Sequence, residues 1–262
     1  ADGQKEPSVL SDSWGLPDPM PSPRKLRKLA DEATDGVSTD ARVAAMMDLL
    51  EAELEHGDKE VCVFGFSRGS LSALEFLNRI QDKITEGNPL YRGINVKFVA
   101  LFDTVKASSG PYRTELPKGM HFEYKPLHLV ALDETRVPFF DAEVLDLQGS
   151  LQIGYRGVHG NVGSAEPDNP AFDWPARETV VNAAKRTGIR FDAAALAGDA
   201  RKVDYSAALK RHSRMWPMGH RSFSKAMYLH PTVLMFSAKP KNDFTANGVI
   251  SLDVWDKWAW GP

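Results

Sequence analysis

The stretch VCVFGFSRGSLSALEFLNRI, residues 61–80, joins a short apolar run to a segment of helical spacing through a Gly-x-Ser-x-Gly turn. Its first four residues predict a buried strand, and the apolar positions after the second glycine predict one face of a helix. A serine at the bend between strand and helix is crowded by both elements. Gly65 and Gly69, two positions before and after Ser67, are expected to relieve that crowding.

A turn of this kind has a defined chemistry. It holds the serine hydroxyl exposed above the end of the strand, and the next backbone N–H points to where an oxyanion would form. The pattern therefore predicts Ser67 as a nucleophile and the Arg68 amide as an oxyanion donor. Because the pattern is short, an ordinary strand-to-helix turn with a surface serine is the alternative.

Strands and helices alternate along the rest of the chain. We expect strands over 61–65, 95–105, 125–136 and 151–160, and helices over 39–56 and 175–188. This alternation predicts an α/β fold whose mostly parallel sheet is covered by helices on both faces. The length of 262 residues favours one domain over 1–262, with a loop-like or partly disordered start over 1–23 that is rich in Pro, Ser and Asp.

Three polar residues follow predicted strands in the order Ser67, Asp103 and His159. Ligands of parallel sheets bind beyond the carboxyl ends of the strands, and this order is typical of α/β-hydrolases. A serine hydroxyl is a weak nucleophile at neutral pH. It needs an imidazole to take its proton and a carboxylate to hold the useful tautomer.

Both partners of the serine have rivals in the sequence. Asp133 also ends a predicted strand and is an alternative acid. His128 lies within a strand, which favours a place in the core or on a sheet face. The histidines in polar surroundings are His56, His212 and His220.

Composition limits the function classes. The net charge of −3 gives no polycationic surface for nucleic acid. The one cysteine, Cys62, is expected as a small core residue, since it has no partner for an internal disulfide, and this fits a reducing cytosol. No zinc-protease, paired-cysteine or phosphate-loop motif is present, so we expect no metal and no cofactor. No run reaches the roughly 18 apolar residues of a spanning helix and no signal peptide is seen, which predicts a soluble, cytoplasmic protein.

Several segments together are similar to one known group of proteins. They are VFGFSRGS, ALFDTV, HLVALDETRVPF, GVHGNVG and YLHPTV, spread over about residues 58–235 in the family's order. They resemble the uncharacterised α/β-hydrolase domain family that includes type VI secretion phospholipase effectors of bacteria. The resemblance implies that Ser67 is the nucleophile, Asp103 the acid and His159 the base, with Asp133 in a supporting position.

The chain departs from the family at its start. Only ADGQ resembles the family's first strand and Asp-Gly-Thr turn, so we expect the sheet to lack the family's N-terminal strands. The second oxyanion donor, which the family takes from an N-terminal loop, is therefore not identified. Gly163-Ser164 replaces a double glycine, and Ser70 replaces an alanine. His230 and Pro231 match a segment expected to serve packing.

The resemblance implies a phospholipase A-type antibacterial effector that hydrolyses carboxyl esters of membrane phospholipids. It further implies secretion-apparatus and immunity-protein partners, delivery to the periplasm of a target cell and peripheral membrane contact. Candidates for that contact are Phe139, Phe140, Trp255, Trp258 and Trp260. The alternatives are an esterase or thioesterase on soluble substrates and a non-catalytic hydrolase-like binding module.

Overall fold

The computed structural model describes residues 37–105, 110–136, 149–163, 170–192, 219–221, 223 and 226–251. The expectations for the start of the chain, for His212 and for the five aromatic membrane candidates lie outside these residues. The elements in chain order are α1 (Val37–Glu55), β1 (Glu60–Phe66), α2 (Arg68–Thr85), a 3₁₀ helix (Pro89–Tyr91), β2 (Asn95–Phe102), β3 (Leu127–Ala131), β4 (Leu151–Tyr155), α3 (His159–Val162), α4 (Pro170–Arg186), β5 (Met227–Leu229), a second 3₁₀ helix (Pro231–Met235) and β6 (Ala246–Val249).

Within the described residues, the six strands form one sheet in the order β1-β2-β3-β4-β5-β6, and every neighbouring pair is parallel. The predicted α/β class is confirmed. The predicted strands are too long at their carboxyl ends, since β2 stops at Phe102, β3 at Ala131 and β4 at Tyr155. The residues that follow leave the sheet because they form the turns of the candidate site.

Helices cover both faces of the sheet, and β2 shows how. Val99 and Leu101 pack with the residues of α1 and α2, whereas Phe98 and Ala100 pack with those of α4. Successive side chains of a strand point to opposite faces, so the two apolar clusters lie on opposite sides of one sheet. This arrangement leaves the carboxyl edge of the strands for the polar residues.

Strand β1 is half-buried rather than fully buried, contrary to the sequence prediction. Val63 and Gly65 are buried under α2, but Phe64 is 47% exposed and Cys62 is exposed. Cys62 is therefore not a core residue. The reason is that α4 packs against β4, several strands away, and does not cover this face of β1. Among the described helices, none combines the length and apolar character needed to cross a membrane.

Candidate active site

The turn after β1 holds Ser67 in a conformation that few non-glycine residues adopt. Its backbone has φ 58° and ψ −129°, and α2 begins at the next residue, Arg68. The Ser67 N–H donates to the carbonyl oxygen of Phe102 at 2.9 Å, which continues the pairing of β1 with β2. Strained backbone of this kind persists where the surrounding structure enforces it and clusters at functional sites.

The two glycines of the turn differ in what they do. A Cβ at Gly65 would lie 2.6 Å from the Cα of Ser70, so only glycine lets the first turn of α2 approach β1 this closely. A Cβ at Gly69 would meet nothing within 4 Å. The expectation that both glycines relieve crowding is thus correct for Gly65 and wrong for Gly69, which faces open space.

Asp103 lies at the end of β2 and is fully buried. It is the second non-glycine residue with a positive φ, at 42°, among the described residues. Its N–H donates to the carbonyl oxygen of Leu129 at 2.7 Å, and its Oδ1 accepts the N–H of Ala131 at 2.9 Å. Backbone contacts to β3 therefore fix both the main chain and one oxygen of this carboxylate.

His159 begins the short helix α3 and meets the other oxygen. The distance from its Nδ1 to Oδ2 of Asp103 is 2.6 Å. The turn that carries it is closed by the Val158 N–H, which donates to Oδ1 of Asn161, while Asn161 Nδ2 donates to Asp173 on α4. The structure thus brings Asp103 and His159 together from segments that are 56 residues apart.

The electrostatics of this pair favour a carboxylate and a neutral imidazole. Burial raises the pKa of Asp103, but the nearby Arg221 cation and the His159 hydrogen bond outweigh it, so the pKa lies below its ordinary value. Burial lowers the pKa of His159, although Asp103 opposes that shift. Since the carboxylate only accepts, Nδ1 carries the proton and Nε2 is the basic nitrogen.

The residue before Ser67 contacts this pair. The ring of Phe66 stacks on the imidazole of His159 with centroids 4.6 Å apart. A Cβ at Gly163 would lie 2.4 Å from the Phe66 ring, so a glycine is needed there for the stack. No hydrogen bond joins the Ser67 hydroxyl to His159 Nε2 in the described part of the chain. Catalytic hydrogen bonds often form only when substrate is bound.

Asp133, the alternative acid, is occupied elsewhere. Its Oδ2 accepts from Arg156 Nε at 2.8 Å and from the Gly157 N–H at 2.8 Å, and its Oδ1 accepts the Lys241 N–H at 3.1 Å. Both oxygens are engaged by groups other than the imidazole. This geometry fits a supporting position beneath the turn that leads to His159.

The rival histidines that the structure describes do not join the site. His128 is fully buried within β3, between Gln152 and the N–H of Thr104. His56 caps the end of α1 through Ala52, and His220 is exposed.

His230 stacks on Tyr155 with centroids 5.0 Å apart, and burial lowers its pKa to about 4, in agreement with the expected packing role.

Sequence reasoning missed two charged residues of the site. Glu134 is fully buried, and its Oε2 accepts the backbone N–H of His159 at 3.0 Å. Its other side-chain contacts are to the backbone N–H of Thr135, at 2.9 Å, and to Arg136, including 2.7 Å from Arg136 Nη2. Arg221 Nη1 lies 2.8 Å from Asp103 Oδ1. The sequence segment LDETR ends a predicted strand and could have indicated Glu134, but nothing in the local pattern points to Arg221.

The predicted oxyanion donor lies at the amino end of α2. Arg68 is its first residue, and N–H groups at this end of a helix, together with the helix dipole, favour negative charge. Within the described residues, no three His, Cys, Asp or Glu side chains gather in a way that could hold a metal ion. Comparison with known proteins found no matching family model, curated protein or solved structure.

Proposed function

We propose that the protein is a serine hydrolase of carboxyl esters, with Ser67 as nucleophile, His159 as base and Asp103 as acid. The observation that carries the proposal is the 2.6 Å Asp103–His159 hydrogen bond, together with a serine in a strained turn whose preceding residue, Phe66, stacks on the imidazole. These are the parts that acyl transfer through a serine requires. A binding module would not need a buried, strictly oriented imidazole next to a strained serine.

The reaction follows from the geometry. The Ser67 oxygen attacks the ester carbonyl while His159 Nε2 takes the hydroxyl proton, and the Arg68 N–H stabilises the resulting oxyanion. The imidazolium then gives its proton to the departing alcohol oxygen, which leaves an acyl group on Ser67. Water, deprotonated by His159, attacks this acyl-enzyme, releases the carboxylic acid and restores the serine.

Labelling with a fluorophosphonate probe tests this proposal. Ser67→Ala should abolish labelling and ester hydrolysis. Ser70→Ala is the matched control, because Ser70 lies three residues further on, in the first turn of α2, is fully buried and contacts Phe102 only weakly, at 3.5 Å. It should label at close to the rate of the unsubstituted protein. Labelling of Ser67→Ala at an undiminished rate would refute the assignment of the nucleophile.

The substrate class is proposed to be phospholipid, in a reaction of phospholipase A type. One support is the resemblance of five segments to the hydrolase family that includes phospholipase effectors. The other is an apolar surface at the carboxyl edge of the sheet, which we call the catalytic edge because Asp103 and His159 lie there. Leu234 and Met235 are 69% and 59% exposed, the highest values among the large apolar side chains of the described residues. They follow β5 at its carboxyl end, and Phe236 beside them packs under Arg156, three residues before His159. Exposed Lys239 and Lys241 come next.

This surface has the chemistry of a contact with anionic lipid. Apolar side chains can enter the bilayer boundary while lysines meet the headgroups. Burial of Leu234 and Met235 at the bilayer would contribute about 3 kcal/mol, on the order of 100-fold in vesicle partitioning. An esterase for soluble substrates gains nothing from such a surface.

Vesicles separate the two enzyme classes. We expect fatty-acid release from phosphatidylethanolamine and phosphatidylglycerol vesicles, reduced on the order of 100-fold in the Leu234→Ser, Met235→Ser double variant. Ile84→Ser is the control, since Ile84 is also exposed but lies at the far end of α2, roughly 25 Å from the catalytic edge. Cleavage of a soluble short-chain ester with no release from vesicles would indicate an esterase or thioesterase.

The resemblance also supports a role as an antibacterial effector, with a secretion apparatus and an immunity protein as partners. We expect toxicity when the chain is directed to the periplasm of a bacterial host and none when Ser67→Ala is directed there. Equal toxicity of the two proteins would refute the enzymatic effector role.

A further inference from the structure

The carboxylate of Asp103 has a second charged partner besides His159. Arg221 is 4% exposed, and its Nη1 lies 2.8 Å from Oδ1 of Asp103 and 3.4 Å from the carbonyl oxygen of Ala131. It comes from a segment 118 residues further along the chain. The cation is therefore inside the site, although none of the proposed catalytic steps uses it.

The backbone of Arg221 is held by buried groups. Its N–H donates to Oδ1 of Asn242 at 2.9 Å, and Asn242 Nδ2 donates to the carbonyl oxygens of Leu132 and Glu134 at 3.1 and 2.8 Å. Asn242 is itself buried. The guanidinium thus has a fixed position relative to the end of β3, unlike a flexible surface arginine.

The contacts divide the two oxygens of Asp103. Oδ1 accepts from the Ala131 N–H and from Arg221, and Oδ2 bonds to Nδ1 of His159. A carboxylate with one oxygen held by two donors cannot rotate freely. It keeps its second oxygen toward the imidazole.

We propose that Arg221 is a positioning residue of this site, which fixes the Asp103 carboxylate and holds His159 in its unprotonated, basic form. The inference rests on the proposed function. Asp103 and Arg221 together are neutral, so a proton on the imidazole would place a net positive charge in a buried site. Without Arg221, the same proton would neutralise Asp103 and would be retained to higher pH.

Other charges face His159 from the packed elements. Glu134, after β3, favours the protonated ring, but its charge is countered by Arg136 at 2.7 Å. Burial is the largest influence on the pKa of His159 and lowers it. The Arg221 cation also lowers this pKa, whereas Asp103 raises it. Asp133 is paired with Arg156. Arg221 is accordingly the cation whose removal changes the charge balance at the imidazole.

The test compares Arg221→Met, Arg221→Gln and Arg221→Lys. The primary measurement is the NMR titration of the His159 ring, assigned with His159→Gln among the seven histidines. The second is the pH profile of fluorophosphonate labelling from about pH 5 to pH 9, a range that spans the ordinary titration of histidine. Loss of the charge should raise the pKa of His159, and the acid limb of the profile, by about one unit or more. Arg221→Lys, which keeps the charge, should stay near the unsubstituted protein.

Arg156→Met is the matched control, because Arg156 forms an equally buried pair with Asp133 at the same edge of the sheet. It should lose stability without moving the His159 titration. If Arg221→Met does not fold, Arg221→Gln keeps a hydrogen-bond donor without the charge and should still show the shift. An unchanged titration in a folded neutral variant, or the same shift in Arg156→Met, would overturn the inference. A raised His159 pKa in a protein that no probe labels would uphold the positioning role and refute the proposed function.

Discussion

Replacement of Asp103 by asparagine is expected to abolish nearly all activity through the tautomer of His159. Oδ1 of Asp103 accepts from Ala131 at 2.9 Å and from Arg221 at 2.8 Å. In Asp103→Asn, the amide oxygen of the new side chain would keep those two donors, so its amide nitrogen would face Nδ1 of His159. The imidazole must then accept at Nδ1 and carry its proton on Nε2, where it cannot take the proton of Ser67.

The expected loss is about 10⁴-fold in kcat, the magnitude found when this substitution is made in a Ser-His-Asp triad. It corresponds to about 5 kcal/mol of transition-state stabilisation. The measurement is the second-order rate of fluorophosphonate labelling beside ester hydrolysis, with folding checked by circular dichroism. Asp133→Asn is the control, because it breaks the Arg156 pair and leaves Asp103 intact. Asp103→Asn activity within tenfold of the unsubstituted protein would refute the argument.

Two further predictions concern the frame of the site. Gly65→Ala should destabilise the fold by roughly 1–3 kcal/mol or more, since its Cβ would lie 2.6 Å from Ser70, whereas Gly69→Ala should stay within about 1 kcal/mol; equal urea midpoints for the two variants would contradict the packing argument. Burial raises the pKa of Glu134, but hydrogen bonds from Arg136 outweigh it and lower it from 4.5 to about 2. The ionised form therefore stabilises the fold above pH 4.5, and that stability is lost as pH falls toward 2. Urea unfolding of Glu134→Gln should show a weaker pH dependence over this range, and an unchanged one would count against the role of Glu134.

The local parts of the site could be predicted from the sequence. Apolar periodicity on both sides of Ser67 indicated a strand and a helix, and the tight turn between them required a glycine at Gly65. Asp103 and His159 were found because each follows an apolar run that forms a parallel strand, and the carboxyl ends of parallel strands share one edge. The roles of all three residues remain predictions that the labelling experiments address.

The burial of β1 could not be predicted in the same way. The run around Cys62 and Phe64 is apolar enough for a fully buried strand, yet both side chains are exposed. Periodicity reports the tendency of a segment to be buried, but not whether another element covers that face. The prediction that Gly69 relieves crowding failed for a similar reason, since the space around a helix terminus depends on the elements that surround it.

The sequence by itself determined the alternation of strands and helices and the polar residues at the strand ends, because those features depend on neighbours a few positions apart. Only the tertiary structure decided between Asp103 and Asp133, which both follow strands of the same sheet. The choice depends on the position of α3, which brings His159 to Asp103, and on Arg156, which forms an ion pair with Asp133. Arg221 shows this dependence most clearly, since its charge acts on Asp103 across 118 residues of chain. Such a contact arises from the packing of distant loops, and no local pattern records it.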